Sequence, residues 1–348
     1  VTETDTGDPL QATVKVYRSD NGELYDEVVC DASGQYTTSA LPYFTYQVRV
    51  RAPQHVPVTA EITVDSAELI KDWVLEPTNG DLLLIDDTAG EPAAAKYGEK
   101  GELLAEGYTP SGKSVGELTT DLETLGYYVQ TESADTVDPS TFWEFDLVML
   151  VCGDNTSTLQ NGALKTALVQ FARDGGHILL EGGELGYDQY NSGDFATEVM
   201  HSTDWNHDSS GNVTFADTDH HVATQPIDLI GSEIAITYNG FGDSDAMVPT
   251  SDAVDVAQWT EYPSDASVIA YDPNPAPEGG QIVFFAFNYA AAGEGRMDLL
   301  QNAVIWLLTP EFGTSGVQGT VLLAGQDDHS GITVRANPGG GQVTTGPD

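Results

Sequence analysis

The sequence predicts a multidomain chain: a β-sandwich, an α/β doubly wound parallel sheet, and a partial second β-sandwich at the C-terminus. Three observations predict it. Residues 1–77 alternate apolar and polar with period two between turn signals. Residues 79–310 switch to continuous apolar strands separated by helical periodicity, the pattern of βαβ units. Residues 314–348 return to alternation. A chain of 348 residues has room for two or three such domains.

In the first unit, residues 12–17 alternate, and Ser19-Asp20-Asn21-Gly22 is a strong hairpin signal. Residues 25–30, 35–37, 44–50, 58–64 and 72–75 supply the remaining strands, with Asp31-Ala32-Ser33-Gly34 as a turn. Six or seven short strands of this kind make a small sandwich.

In the second unit, residues 81–85 are a continuous apolar strand, as a buried parallel sheet requires. A helix is predicted over 114–125. Ser114 and Glu117 have capping-box spacing there, Val115, Leu118, Leu122 and Leu125 share a face, and Gly126 stops it. Strands follow at 127–129, 146–151 and 177–180, with a helix over 159–173 that ends at Gly175-Gly176. Strands at 266–271 and 281–287 and a helix over 297–308 close the unit. The tail offers only two or three strands, too few to bury a core alone. Its missing strands must come from elsewhere, or it must pack on a neighbour.

Composition excludes whole classes of function. Asp and Glu number 55 against 12 Lys and Arg, a net charge of −43. Such a surface repels phosphate, which excludes nucleic acid and anionic membranes as partners. No apolar run approaches the ~18 residues that span a bilayer, which excludes membrane insertion. Only Cys30 and Cys152 are present, which excludes a disulfide scaffold and a Cys-based zinc site. The charge has two readings: a solvated surface suited to a saline exterior, or carboxylates that bind Ca²⁺. The absence of an initiator Met and of a signal peptide reads as an excised piece of a longer, secreted or surface-exposed precursor.

Residues 1–77 resemble the carboxypeptidase regulatory-like domain, a transthyretin-like β-sandwich. Gly7-Asp8-Pro9-Leu10 with Ala12-Thr13-Val14, then Asp31-Ala32-Ser33-Gly34-Gln35-Tyr36, then Leu41-Pro42-Tyr43-Phe44 carry the resemblance. It implies a folding or spacing module without catalytic residues. In the tail, residues 331–336 resemble 12–17, the start of a second such domain.

Residues 79–310 resemble the class I glutamine amidotransferase-like superfamily, a flavodoxin-like fold. The carrying motifs are at residues 146–155, 175–188, 280–288 and 299–308. The resemblance implies a Cys on a strand-to-helix elbow, activated by a His–Glu pair. The elbow falls at Glu181-Gly182-Gly183-Glu184, which has no Cys, Ser or Thr, so the catalytic part of the resemblance fails. Cys152 follows the preceding strand and reads as a small buried apolar residue. The whole order resembles the C-terminal accessory regions of secreted bacterial zinc carboxypeptidases.

Ligands of doubly wound sheets bind at the carboxyl ends of the strands. Those ends are acidic here: Asp86, Asp87, Asp154, Glu181 and Glu184. They are candidate ligands for Ca²⁺ or Mg²⁺, or else caps of loops and helix N-termini. Five of the seven His lie between 177 and 221, without a tight zinc spacing. His220 and His221, in a loop beginning at Asp217, are candidate bases beside Glu181, against a purely structural role. Residues 240–245 have an Asp-x-Asp look without an EF-hand's Gly and distal Glu. Lys113-Ser114 lacks the spacing of a phosphate-binding loop.

The expected function is therefore a non-catalytic extracellular accessory segment. Its partners would be other domains of the same precursor, or copies of itself in a filament that completes the C-terminal strands. A hydrolase using the acidic edge and His220 or His221 is the alternative.

Overall fold

A computed structural model describes residues 1–88, 112–208, 211–215, 219–237, 244–273, 280–309, 333–335 and 342–344. The first strands are β1 (Thr2–Glu3), β2 (Thr13–Arg18), β3 (Leu24–Val29), β4 (Phe44–Arg51), β5 (Val58–Val64) and β6 (Val74–Leu75). Four of them form an antiparallel sheet in the order β3-β2-β4-β5. β1 and β6 pair in parallel as a separate two-stranded sheet. The alternation in the sequence sends Val14, Val16, Val48 and Val50 into one core with Trp73 and Leu75. The hairpin after β2 closes where the Gly22 N–H donates to the Arg18 carbonyl at 2.9 Å.

Residues 35–37 form no strand, contrary to the sequence expectation. The Asp31 carboxylate takes the Ser33 and Gln35 N–H groups at 2.8 and 3.0 Å, so the local turn competes with strand pairing.

The central unit contains β7 (Asp81–Asp86), α1 (Gly112–Thr124), β8 (Tyr128–Ser133), β9 (Leu147–Val151), α2 (Gly162–Arg173) and β10 (Ile178–Glu181). Next come α3 (Leu185–Gln189), α4 (Asp194–Glu198), β11 (Ser202–Asp208), β12 (Val213–Thr214), α5 (His221–Thr224), β13 (Glu233–Ile234), β14 (Asp245–Pro249) and β15 (Val254–Trp259). β16 (Ala266–Tyr271), β17 (Ile282–Phe285) and α6 (Arg296–Leu308) complete it. Beyond it, β18 (Thr333–Arg335) and β19 (Gln342–Thr344) form an antiparallel pair. The rest of the tail expectation lies outside the described residues.

β8, β7, β9, β10 and β17 lie side by side and parallel. In order of appearance that is 2-1-3-4-5, a common order of doubly wound sheets. The sheet is nevertheless mixed, which corrects the all-parallel expectation. β16 runs antiparallel to β17, β15 and β14 run antiparallel to β16, and the sheet continues to β12, β13 and β11. The physical reason lies in the connections. Parallel neighbours need a long crossover, and between β11 and β16 the described residues hold only one short helix, α5.

Strand pleating divides the central core in two. Leu82, Leu84, Met149 and Phe285 face α1, α5 and α6. Leu83, Ile85, Leu150 and Phe284 face α2, α3 and α4. Gly126 ends α1 in the left-handed region at φ 86°, with Tyr127 N–H on the Leu122 carbonyl. The helix starts earlier than the capping-box spacing suggested. Ser114 is a buried residue of its first turn, and Glu117 pairs with Arg296 instead.

The sandwich abuts the amino ends of the parallel strands. Arg51 reaches Asp81, the first residue of β7, at 3.0 Å and Glu144 at 3.4 Å. Lys15 meets Glu144 at 2.6 Å, and Arg49 donates to Gln130 at 2.6 Å. The Arg51 guanidinium also lies over the Phe145 ring at 4.3 Å.

Candidate functional site: the acidic strand edge

The carboxyl ends of β7, β9 and β10 bring Asp87, Cys152 and Glu181 together. Glu181 ends β10 and is fully buried. Its two carboxylate oxygens accept the Gly153 and Tyr289 N–H groups, each at 2.9 Å. Burial pushes its carboxyl up to about 7, against the pull of those donors and of the Ser114 hydroxyl, and Asp154 adds to the rise.

Asp87 leaves β7 and turns inward. Its Oδ2 accepts the Leu159 N–H at 2.6 Å and contacts the Cys152 thiol at 3.6 Å. Burial raises its carboxyl to about 6. Cys152 is fully buried between these acids, and burial, reinforced by Asp87 and Glu181, drives its thiol well above the ordinary value. Both influences favour the protonated thiol over the nucleophilic thiolate.

Asp86 points elsewhere. Its Oδ1 accepts the Thr88 N–H at 2.9 Å and the Thr88 hydroxyl at 2.5 Å, a local turn. Asp154 is 5% exposed beside this cluster, whereas Glu184 is half-buried at the N-terminal boundary of α3.

Two acids that the strand-end reading passed over complete the edge. Asp188 on α3 accepts the Thr158 N–H at 2.7 Å, fixing the loop before α2. Asp245, the first residue of β14, accepts the Gly186 N–H at 2.7 Å and the Trp205 indole N–H at 2.9 Å. A Cβ on Gly186 would lie 2.7 Å from that same oxygen, so the approach requires glycine. Asp188 closes the motif at residues 175–188, so a signal for it existed. Asp245 carried the Asp-x-Asp signal but serves an internal contact, and residues 240–243 lie outside the described residues.

Among the described residues, no three His, Cys, Asp or Glu side chains gather in a metal-ligating group. Of the five candidates, Asp86, Asp87 and Glu181 accept backbone N–H groups, as capping carboxylates do.

The bend after β10 runs Gly182-Gly183-Glu184 into α3. Glu184 there has φ −119°, an ordinary backbone rather than a strained apex. His220 caps α5, its Nδ1 accepting the Val222 N–H at 3.2 Å, and lies edge-on to Trp306 of α6 at 4.8 Å. Burial lowers its imidazole to about 4. Residues 217 and 218 of its loop lie outside the described residues. His221 opens α5 beside it. Among the described residues, the hydrogen bonds to Glu181 come from Gly153 and Tyr289, and none joins it to His220 or His221. His201 and His207 stack on Tyr271 and Tyr262 at 3.6 and 4.4 Å. His177 takes the Gln281 N–H at 3.2 Å.

No protein-family profile matches the chain, and no curated protein matches it. Solved structures do resemble it. The mmIFT52 N-terminal domain is 12% identical, with a TM-score of 0.45 over 67% of this chain and 99% of that one. A ThuA-like protein from Parabacteroides merdae ATCC 43184 is 13% identical, with a TM-score of 0.41 over 68% and 92%. PurLQS from Thermotoga maritima is 13% identical, with a TM-score of 0.41 over 65% and 98%. At these values none of the three informs function, which rests on the chain's own residues.

Proposed function

We propose that this chain is a non-catalytic accessory segment of a larger secreted or surface protein, of the zinc carboxypeptidase type. In this reading a regulatory-like sandwich is joined to a glutamine amidotransferase-like domain that has lost its chemistry. One observation carries it: the bend after β10 presents only glycines and an unstrained Glu184, and the nearest thiol is sealed between two acids. The 2-1-3-4-5 strand order supports the fold half of the reading. The charge of −43 supports a saline, extracellular setting.

Native thiol labelling, combined with turnover assays on amide and ester substrates, tests the reading. Labelling at pH 8 is expected only after denaturation, and turnover is expected to be absent. Native labelling of Cys152, or a covalent adduct on Glu184, would overturn it.

One feature favours the hydrolase reading: burial at the strand edge pushes the Glu181 carboxyl up to about 7, within reach of proton transfer at neutral pH. That reading requires turnover which Glu181→Gln abolishes.

A further inference from the structure

The two-stranded partner sheet, β1 with β6, covers only part of the inner face of β2, β4 and β5. The remainder is roofed by segments 36–43 and 66–71, which are not strands. Between roof and sheet lies a cavity of about 310 Å³, whose accessible apolar lining is Tyr36, Leu41, Tyr43, Ile62 and Leu69, above the buried Val14, Val16 and Val48.

The roof is fixed in place, so the cavity is formed in advance. The Trp73 indole N–H donates to the Tyr36 hydroxyl at 2.8 Å, and that hydroxyl donates to the Lys71 carbonyl at 3.0 Å. The Asp26 carboxylate accepts the Ser39 N–H at 2.7 Å.

The lip is apolar and open to solvent. Tyr43 is 68% exposed and Leu69 46%, and the neighbouring Ile70 is 78% exposed. Clustered exposure of this kind marks an interaction surface more than scattered single residues do. The rim is acidic. Glu68 lines the cavity, Asp26 holds its wall, and exposed Asp65 and Asp72 flank its lining residues. Against these four acids stands Lys71, drawn over the Trp73 ring at 5.0 Å.

The geometry points to this cavity as the docking site of a partner segment that offers one large apolar or aromatic side chain flanked by lysine or arginine. The apolar lining takes the side chain and the acidic rim takes the cations. A second copy of this chain fits poorly, because two chains of charge −43 repel. The surface lies on the sandwich and does not depend on what the acidic edge does.

The test is calorimetric titration of the full chain with a lysine-rich pentapeptide that carries one central tryptophan. Two controls replace the tryptophan by serine or the lysines by glutamates. Saturable binding is expected, with each control at least about tenfold weaker. Tyr43→Ser removes the lip, and Ala40→Trp fills the mouth from an exposed position. Each variant should weaken the tryptophan peptide at least about fivefold without shifting the melting temperature. Equal binding of the serine peptide would mean general attraction to an acidic surface and overturn the proposal. Binding undiminished in both variants would overturn it as well. Self-association blocked by Tyr43→Ser, seen by sedimentation, would assign the cavity to a second copy and also overturn it. None of these failures touches the non-catalytic reading, whose test concerns the other unit.

Discussion

Glu181 combines the raised pKa expected of a chemical group with the contacts of a structural one. It is fully buried, burial pushes its carboxyl up to about 7, and both oxygens hold backbone N–H groups from separate loops. Removing it strands two buried donors and leaves a void. Glu181→Ala should therefore cost about 2–4 kcal/mol in urea unfolding. Asp86→Ala removes only a partly exposed local turn and should cost under about 1 kcal/mol. Comparable losses at the two positions would sink the structural account of Glu181. Asp86, Asp87 and Glu181 all stood out in the sequence at strand ends. Their different fates did not, because which of two adjacent acids turns inward after β7 depends on the loop before α2, remote in sequence.

At the scale of elements, Glu144 is the hub of the junction. Lys15 and Arg51 converge on it within 3.4 Å, and Arg49 lies at 3.7 Å. These cations pull its carboxyl below the ordinary carboxylate value, against the opposing effect of burial, which is the largest single influence. Its side chain is 17% exposed, so screening is partial. Glu144→Ala should cost about 1–3 kcal/mol and release the sandwich to unfold in a separate, earlier transition. A single unshifted transition in calorimetry would count against the junction.

Elements with strong periodicity were legible. β7 and β9 are continuous apolar runs because both faces of the sheet are covered. β11 was not legible. It is an edge strand whose Thr203, Asp204, Asn206, His207 and Asp208 are exposed, so alternation never forms and no strand signal arises. The antiparallel half of the sheet was missed for the same reason as the junction. Periodicity identifies a strand but not its direction or its neighbour.

For the whole molecule, burial sets the pH response. Asp81, Asp87 and Asp255 are raised to about 6 and Glu181 to about 7, from ordinary values of 3.8 and 4.5. A raised carboxyl holds its proton more tightly when folded. Its contribution is full below the unfolded value and is lost as pH rises through the folded one. Stability should therefore fall between about pH 4 and pH 7, and self-repulsion at −43 acts in the same direction. His201 and His220, lowered to about 4 by burial, work the other way between about pH 4 and 6.5. Glu144 does so below the ordinary carboxylate range. The four carboxyls outnumber them and set the net direction. Thermal melts at constant ionic strength should show the highest melting temperature near pH 5 and a decline toward pH 8. A flat or rising profile would contradict these burials.

The parallel pairing of β1 with β6 has a mechanical consequence. Thr2 faces Val74 and Glu3 faces Leu75, with the Thr2 and Thr4 N–H groups on the Trp73 and Leu75 carbonyls at 3.0 and 2.9 Å. A pull on Val1 opposed at Pro77 drags the start of one strand against the end of the other. The two slide lengthwise, and their bonds share the load instead of unzipping in turn. Tension thus runs through this short ladder and leaves the four-stranded sheet outside the line of force until the ladder yields.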